Sequence, residues 1–256
     1  MSETGAQGDG EVALIVGGGP GVSASCARHF SEAGMRVAIA ARTPDKPVLV
    51  ALEKEFGVAR FACDASDPDS VVRLFADVES QLGAPRLVVH NIDGRMEGIF
   101  RKELIAADSS LVLQTIQNSA YSAFLVGQQA ARAMLSRDAT PEEQRGTILF
   151  TNASAAIKGY PLSAAFAIAS HGKAGLAQSM ARELGPQGIH VVHCPIDGAI
   201  AWTQEDGSRK HWLAGTDEGD NMLDPDRIAE TYLHLHKQHR STWTFEAVMR
   251  PWKERW

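Results

Sequence analysis

The segment Ala13-Leu14-Ile15-Val16-Gly17-Gly18-Gly19-Pro20-Gly21-Val22-Ser23 passes from an apolar run into a helical pattern through four glycines. Glycines there permit a tight turn and let the backbone approach a pyrophosphate. The helix N-terminus that follows offers unpaired N–H groups and a partial positive charge. Gly17, Gly19, Pro20, Gly21 and Val22 are therefore the candidate phosphate cradle. A second apolar run ends Ala40-Ala41-Arg42-Thr43. A carboxylate in the place of Ala41 would hold a ribose 2′-hydroxyl, whereas Arg42, with Thr43 after it, suits a 2′-phosphate, so NADP(H) is favoured over NAD(H). A third run ends Cys63-Asp64-Ala65, where Asp64 could accept from an adenine amino group. A fourth ends His90-Asn91-Ile92-Asp93. A lone Gly-rich turn is weak evidence; four such signals in order make a dinucleotide site.

The elements that must position these groups alternate along the chain. Apolar, β-branched runs at 12–16, 37–41, 59–63, 87–90, 147–151 and 190–193 are separated by segments of helical spacing, such as Leu113, Ile116, Ala120, Phe124, Ala131 and Leu135. Short strands alternating with helices predict βαβ units and a parallel, doubly wound α/β sheet in one domain spanning 11–256. Residues 1–10 are small and polar and are expected to fray. The stretch 203–221 is polar and contains Gly207, Gly215 and Gly219, which predicts a long mobile loop, acting as a lid over bound ligand. All five tryptophans (Trp202, Trp212, Trp243, Trp252, Trp256) fall after it begins or just before. They predict either a C-terminal strand and tail over the sheet edge or a subunit contact, or, for Trp202 and Trp212, an apolar substrate pocket.

With 256 residues, 44% of them hydrophobic, the chain can bury a sizeable core. Its net charge of −6 argues against nucleic acid or an anionic membrane surface as partner. Cys26, Cys63 and Cys194 are odd in number and lie in apolar segments, which suits a reduced, cytoplasmic protein. No histidine cluster has metal-ligand spacing; His234 and His236, two apart on a helix, diverge.

In these motifs the chain resembles the short-chain dehydrogenase/reductase family over essentially its whole length. The Gly17/Gly21 turn, Asp64-Ala65, Asn91-Ile92-Asp93, Ala181-Arg182-Glu183-Leu184 and Asp197-Gly198-Ala199-Ile200 all fall in the family's order. Ser23 stands in place of a third glycine, Asp93 where the family has glycine, and Asp197 where it has proline. The resemblance implies a Rossmann-like fold, a nicotinamide cofactor with Ile200 beside it, and a homodimer or homotetramer built from two long helices. The small residues of 164–181, among them Ala164, Ala167, Gly172 and Gly175, would give one such helix a smooth face.

Family members use a serine, a tyrosine and a lysine, with an asparagine behind them, to move a proton beside the nicotinamide. The tyrosine is the general acid or base and the lysine lowers its pKa. Counting back from Met180-Ala181-Arg182-Glu183-Leu184 puts Ser170 in the lysine slot, Phe166 in the tyrosine slot and Ala153 in the serine slot; Ser119 falls in the asparagine slot. A register built on Lys173 would leave Ala169 in the tyrosine position, so the phenol is missing either way. Lys173 lies about 4.5 Å along the helix from Ser170 and about 60° around it; its long side chain could reach back, but it reads first as a surface or interface cation. Ser154 and Tyr160 are the substitute candidates for polar contact or proton donation, and His171 reads as an outward-facing residue. Three functions stay open: an NADP(H)-linked oxidoreductase of a small or lipophilic carbonyl or alcohol with a rearranged proton path, a nucleotide-binding sensor or partner subunit without turnover, and a lyase or isomerase reusing the pocket.

Overall fold

Along β1 (Val12–Val16) every residue is buried, and alternate side chains enter different cores. Ala13 and Ile15 pack with Cys26, Ala27 and Phe30 of α1 (Val22–Glu32), while Leu14 and Val16 face the other layer. A strand covered on both sides must be apolar throughout, and this is why the six runs read as continuous rather than alternating. The computed structural model describes residues 10–137, 143–204, 206–211 and 214–254. Residues 1–9 of the segment expected to fray lie outside these, as do Trp212 and Trp256.

After α1 the chain continues through β2 (Arg36–Ala41), α2 (Pro47–Phe56), β3 (Ala59–Ala62), α3 (Pro68–Leu82) and β4 (Pro85–His90). It then forms α4 (Ser109–Ile116), a π-helical turn at Gln117–Tyr121, α5 (Ser122–Leu135), β5 (Gly146–Ala153), α6 (Ala164–Leu184) and β6 (Ile189–Ile196). Proline opens α2, α3 and α7 (Pro225–His236), where its missing N–H costs nothing, and Asp67 and Asp224 cap the latter two by accepting from Asp69 N and Asp226 N. By contrast α1 begins at Gly21 with no side-chain cap, so its first N–H groups stay available.

The six strands pair in parallel in the order β3-β2-β1-β4-β5-β6. Helices α1, α2 and α7 contribute to the core on one face and α3, α5 and α6 to that on the other. This is the predicted doubly wound, Rossmann-like α/β fold in a single domain. The order reverses between β1 and β4, and a crevice opens there beyond the strand carboxyl ends. Among the described residues no helix is long and apolar enough to cross a membrane.

The stretch 203–221 departs from its expected form. It is not a plain loop: with Trp202 it supplies β7 (Trp202–Thr203), β8 (Arg209–His211) and β9 (Gly215–Thr216), a small antiparallel sheet. Gly207, at φ +78°, turns the chain between β7 and β8, and Arg209 binds the sheet to Asp217 at 3.0 Å and Asp224 at 3.6 Å. Polarity and glycine marked the turns, while the strands between them are too short to show a period. The tail does cover the sheet edge: residues 245–249 run parallel to β6, with His193 N donating to Phe245 O at 2.8 Å and Met249 N to Pro195 O at 3.0 Å. Asp197 accounts for its own presence in the same terms. Its carboxylate is buried and receives Lys158 Nζ at 3.2 Å and Arg250 at 3.5 Å, tying the tail to the end of β6.

Candidate functional site

At the β1–α1 turn Gly17 adopts φ +109°, and a Cβ there would lie 2.3 Å from Asn91 O. Only glycine satisfies both constraints. Its N–H and that of Gly18 donate to Ala40 O at 2.9 and 2.8 Å. Ser23, standing where a third glycine was expected, donates to Gly17 O at 2.7 Å and receives Asn91 Nδ2 at 2.7 Å. The serine thus locks the turn to the end of β4 instead of relaxing it. Around Gly19 and Gly21 there is open space, so backbone there can be approached closely by a ligand.

A cavity of about 450 Å³ runs along the strand ends, walled by Gly17, Arg42, Asp64, Ala65, Asn91 and Asp93 among others. Arg42 and Asp64 thus meet in one cleft. Asp64 is held by an Asx turn, accepting from Ser66 N at 2.9 Å and Ser66 Oγ at 2.7 Å; these bonds, with the Arg42 charge behind them, lower its pKa. Gly19, Pro20, Gly21 and Val22 form the turn and helix start just outside this lining, and Thr43 is exposed next to Arg42.

Several lining residues were not singled out in the sequence, Lys46, Arg95 and Asn118 among them. Lys46, just before α2, donates to Gly18 O at 2.9 Å and adds a second cation beside Arg42. Asn118 reaches the cleft from the π-helical turn, whereas Ser119, in the asparagine slot, is buried with its backbone against Gly94. An extra residue in a helical turn re-aims the side chains around it, and sequence spacing cannot register that.

A second cavity of about 270 Å³ adjoins the first and shares Asn91, Ile92, Asp93 and Arg95 with it. Its wall includes Ala153, Phe166, Lys173, Ile200, Trp202 and His211. The structure therefore brings the serine-slot and tyrosine-slot residues together on one cavity, with Ile200 opposite. Ser170 is fully buried, and its Oγ has no hydrogen-bond partner. Ser154 begins a short turn after β5, outside both linings. Tyr160 is 44% exposed and lines a neighbouring hollow that also shares Arg95 and Phe166. His171 is exposed, as its helical position implied.

Lys173 is the main correction. It is not a surface or interface cation but a residue only 1% exposed, with Nζ donating to Ile92 O at 2.8 Å and to Thr151 O at 3.2 Å. Seven residues from Phe166 are two helical turns, so the two side chains leave α6 within about 20° of each other. The inward face of α6 carries Phe166, Ala169, Ser170 and Lys173. With small residues at 169 and 170, the long lysine stem crosses to the ends of β4 and β5. Burial pulls its pKa down to about 8, against the Asp93 carboxylate, which pulls it up. Two of its three N–H groups are committed to carbonyls, and the third is left for the cavity.

Behind Lys173 lies a buried chain of hydrogen bonds. Asn152 Nδ2 donates to Ser170 O and to His193 Nε2, both at 2.9 Å, and His193 Nδ1–H donates to Glu246 Oε2 at 2.8 Å. This pattern sets the tautomer of His193. Burial lowers the His193 pKa while Glu246 raises it, and the nearby Lys173 charge lowers it further.

Comparison with known proteins gives the same answer as the geometry. The family model described as Enoyl-(Acyl carrier protein) reductase matches residues 18–249. Short chain aldehyde dehydrogenase 1 of Euphorbia lathyris is 27% identical over 187 residues, which are 72% of this chain but only 62% of that protein's length. A short-chain dehydrogenase from Rhodopseudomonas palustris superposes with a TM-score of 0.76 at 26% identity, covering 94% of this chain and 99% of its own. A metagenomic short-chain oxidoreductase solved in complex with NADP is 22% identical, with a TM-score of 0.74 over 96% of this chain and 99% of its own. A doubly wound sheet, a glycine turn locked to β4 and a family match over most of the length lead to one conclusion: the chain belongs to the short-chain dehydrogenase/reductase family of oxidoreductases.

Proposed function

We propose that the protein is an NADP(H)-dependent oxidoreductase of a small carbonyl or alcohol, in which Lys173 takes over the proton transfer that a tyrosine performs elsewhere in the family. The observation that carries this reading is the buried Lys173 ammonium, held on Ile92 O and Thr151 O beside the cavity that adjoins the dinucleotide cleft. The residues present fit the cofactor. The backbone of 17–22 and the uncapped start of α1 would receive the pyrophosphate, Arg42 and Lys46 the 2′-phosphate, and Asp64 the adenine.

When bound, a reduced nicotinamide would supply a hydride to the carbonyl carbon. Lys173 would give its remaining proton to the carbonyl oxygen as the C=O π bond breaks, and the resulting neutral amine would be reprotonated by water. Ile92 O and Thr151 O hold Nζ in place through the step, and Phe166, Ile200 and Trp202 keep the cavity apolar. A pKa of about 8 leaves most of the ammonium protonated at neutral pH and still a usable acid.

Calorimetric titration with NADPH, followed by NADPH consumption against a panel of aldehydes, ketones and quinones, tests the reading. Binding with turnover on at least one carbonyl is expected. Tight NADPH binding with no turnover on the panel would favour the second reading, a nucleotide-binding sensor or partner subunit, to which Phe166 in the tyrosine slot lends support.

A homodimer or homotetramer is part of the same proposal. Tyr121 and Phe124, stacked with ring centroids 6.3 Å apart, are both more than 40% exposed, and Ile168 on α6 and Leu113 on α4 are more exposed still. Light scattering at micromolar concentration should give at least twice the monomer mass; a monomer would refute it.

A further inference from the structure

Arg95 occupies an unusual position. Its guanidinium carbon sits 4.0 Å over the Phe166 ring and 5.3 Å from the Phe100 centroid. Nη2 meets Asp93 Oδ2 at 3.3 Å, yet Nε is buried without a hydrogen-bond partner. The Asp93 carboxylate is more than half exposed, so this single long contact satisfies little of a group that has five donors. The same side chain borders the dinucleotide cleft, the second cavity and the hollow beside Tyr160.

The dinucleotide cleft sets Asp64, Asp93 and Glu97 against Arg42, Lys46 and Arg95, but on the other two sides the charges do not balance. Among the described residues lining the second cavity, Arg95 and Lys173 are cations and Asp93 is the one carboxylate. The hollow beside Tyr160 adds Arg101, and none of its described lining residues is acidic. His211, also in the wall of the second cavity, has its pKa lowered by burial and then by the Arg95 charge. The rest of the wall is uncharged, with Asn91, Thr151 and Asn152 at the strand ends and an apolar side of Phe166, Trp202, Ile200 and Ala153. A buried donor left unpaired costs free energy that a ligand can recover, and a planar guanidinium stacked on an aromatic face is preorganised for a planar anion.

We propose that the substrate of this site carries a carboxylate, bound by the Arg95 guanidinium between the second cavity and the hollow beside Tyr160, and that Phe166 is retained as the face on which that guanidinium rests. The proposal names the substrate class for the oxidoreductase reading above and rests on it. In this arrangement the ring at 166 is exchanged from proton donor to platform: a phenylalanine gives up the phenol but keeps the π face that holds Arg95 over the pocket mouth. The substrate is a small acid with an apolar body, in keeping with a cavity of about 270 Å³, just below the usual range of ligand-site volumes.

The test compares benzoate with benzamide, which has the same shape without the charge, titrated into protein saturated with NADPH. Benzoate is expected to bind at least tenfold tighter than benzamide. Arg95→Met should erase that preference, and Phe166→Leu, which keeps the cation but removes its platform, should reduce it several-fold. Because Arg95 also borders the dinucleotide cleft, NADPH affinity is measured for each variant on its own. If NADPH fails to bind the wild type, the oxidoreductase reading falls. If NADPH binds and benzoate binds no tighter than benzamide, or not at all, the carboxylate proposal alone is overturned. A preference that persists in Arg95→Met overturns it equally, and the wild-type comparison stands even where a variant does not fold.

Discussion

Lys173→Met should lower NADPH-dependent carbonyl reduction by about 10²–10⁴-fold, the usual effect of losing a general acid, while the protein still binds NADPH. The pH dependence gives the sign independently. The ammonium is the donating form, and burial sets its pKa at about 8, so the reduction rate should hold below that value and fall about tenfold per pH unit above it. In Lys173→Met this limb should vanish from whatever activity remains. Stability supplies a readout that does not need turnover. The pKa of Lys173 is depressed in the fold from 10.5 to about 8, so between these values the unfolded chain binds more protons, and folding stability rises with pH. Integrated over the window, the wild type should gain about 3 kcal/mol relative to Lys173→Met, read from urea unfolding at pH 7.5 and 10.5. A pH-independent difference would mean that the lysine is solvated, and the proton-transfer role would fall with it.

Removing both cations of the adenosine end should have the next largest effect. Arg42 and Lys46 line the same cleft, and Lys46 Nζ is held at 2.9 Å from Gly18 O, in the glycine turn. Each charge-assisted contact to a 2′-phosphate is worth about 1.5–3 kcal/mol, with the lower figure suited to an exposed arginine. Arg42→Ala alone should therefore reduce the preference for NADPH over NADH by about tenfold, and Arg42→Ala with Lys46→Ala by about 10²-fold. The affinity for NADH should change little, since a 2′-hydroxyl offers these cations no charge. Calorimetry with both nucleotides decides the matter. A wild type that binds them equally, or a double variant that still discriminates, would show that the 2′-position is read elsewhere.

How much of this is legible in the sequence depends on the range of the interaction concerned. The six strands, the glycine turn and the cleft residues Arg42, Asp64 and Asn91 could be read from sequence because each is a local matter. A parallel strand buried on both faces must be apolar along its length, and a turn packed against Asn91 O must be glycine. The slots given to Phe166 and Ala153 came from the family's spacing counted back from a known anchor, and that the two meet on one wall is seen only in the fold. The small sheet at 202–216 was not legible, because strands of two or three residues leave no period to detect.

Fold and family were legible in the residues alone, because strand periodicity and a glycine turn are local features. The surroundings of Lys173 came from the packed fold alone. Whether Lys173 faced water or the strand ends depended on which side of α6 lay against β4 and β5, and a lysine's charge argues for water until Ile92 O and Thr151 O are seen waiting for it. Arg95 belongs to none of the motifs in the sequence, and its meeting with Phe166 joins residues 71 positions apart. Desolvation, the shape of a cavity and the partners of a buried charge are properties of the packed chain, and no window of neighbouring residues contains them.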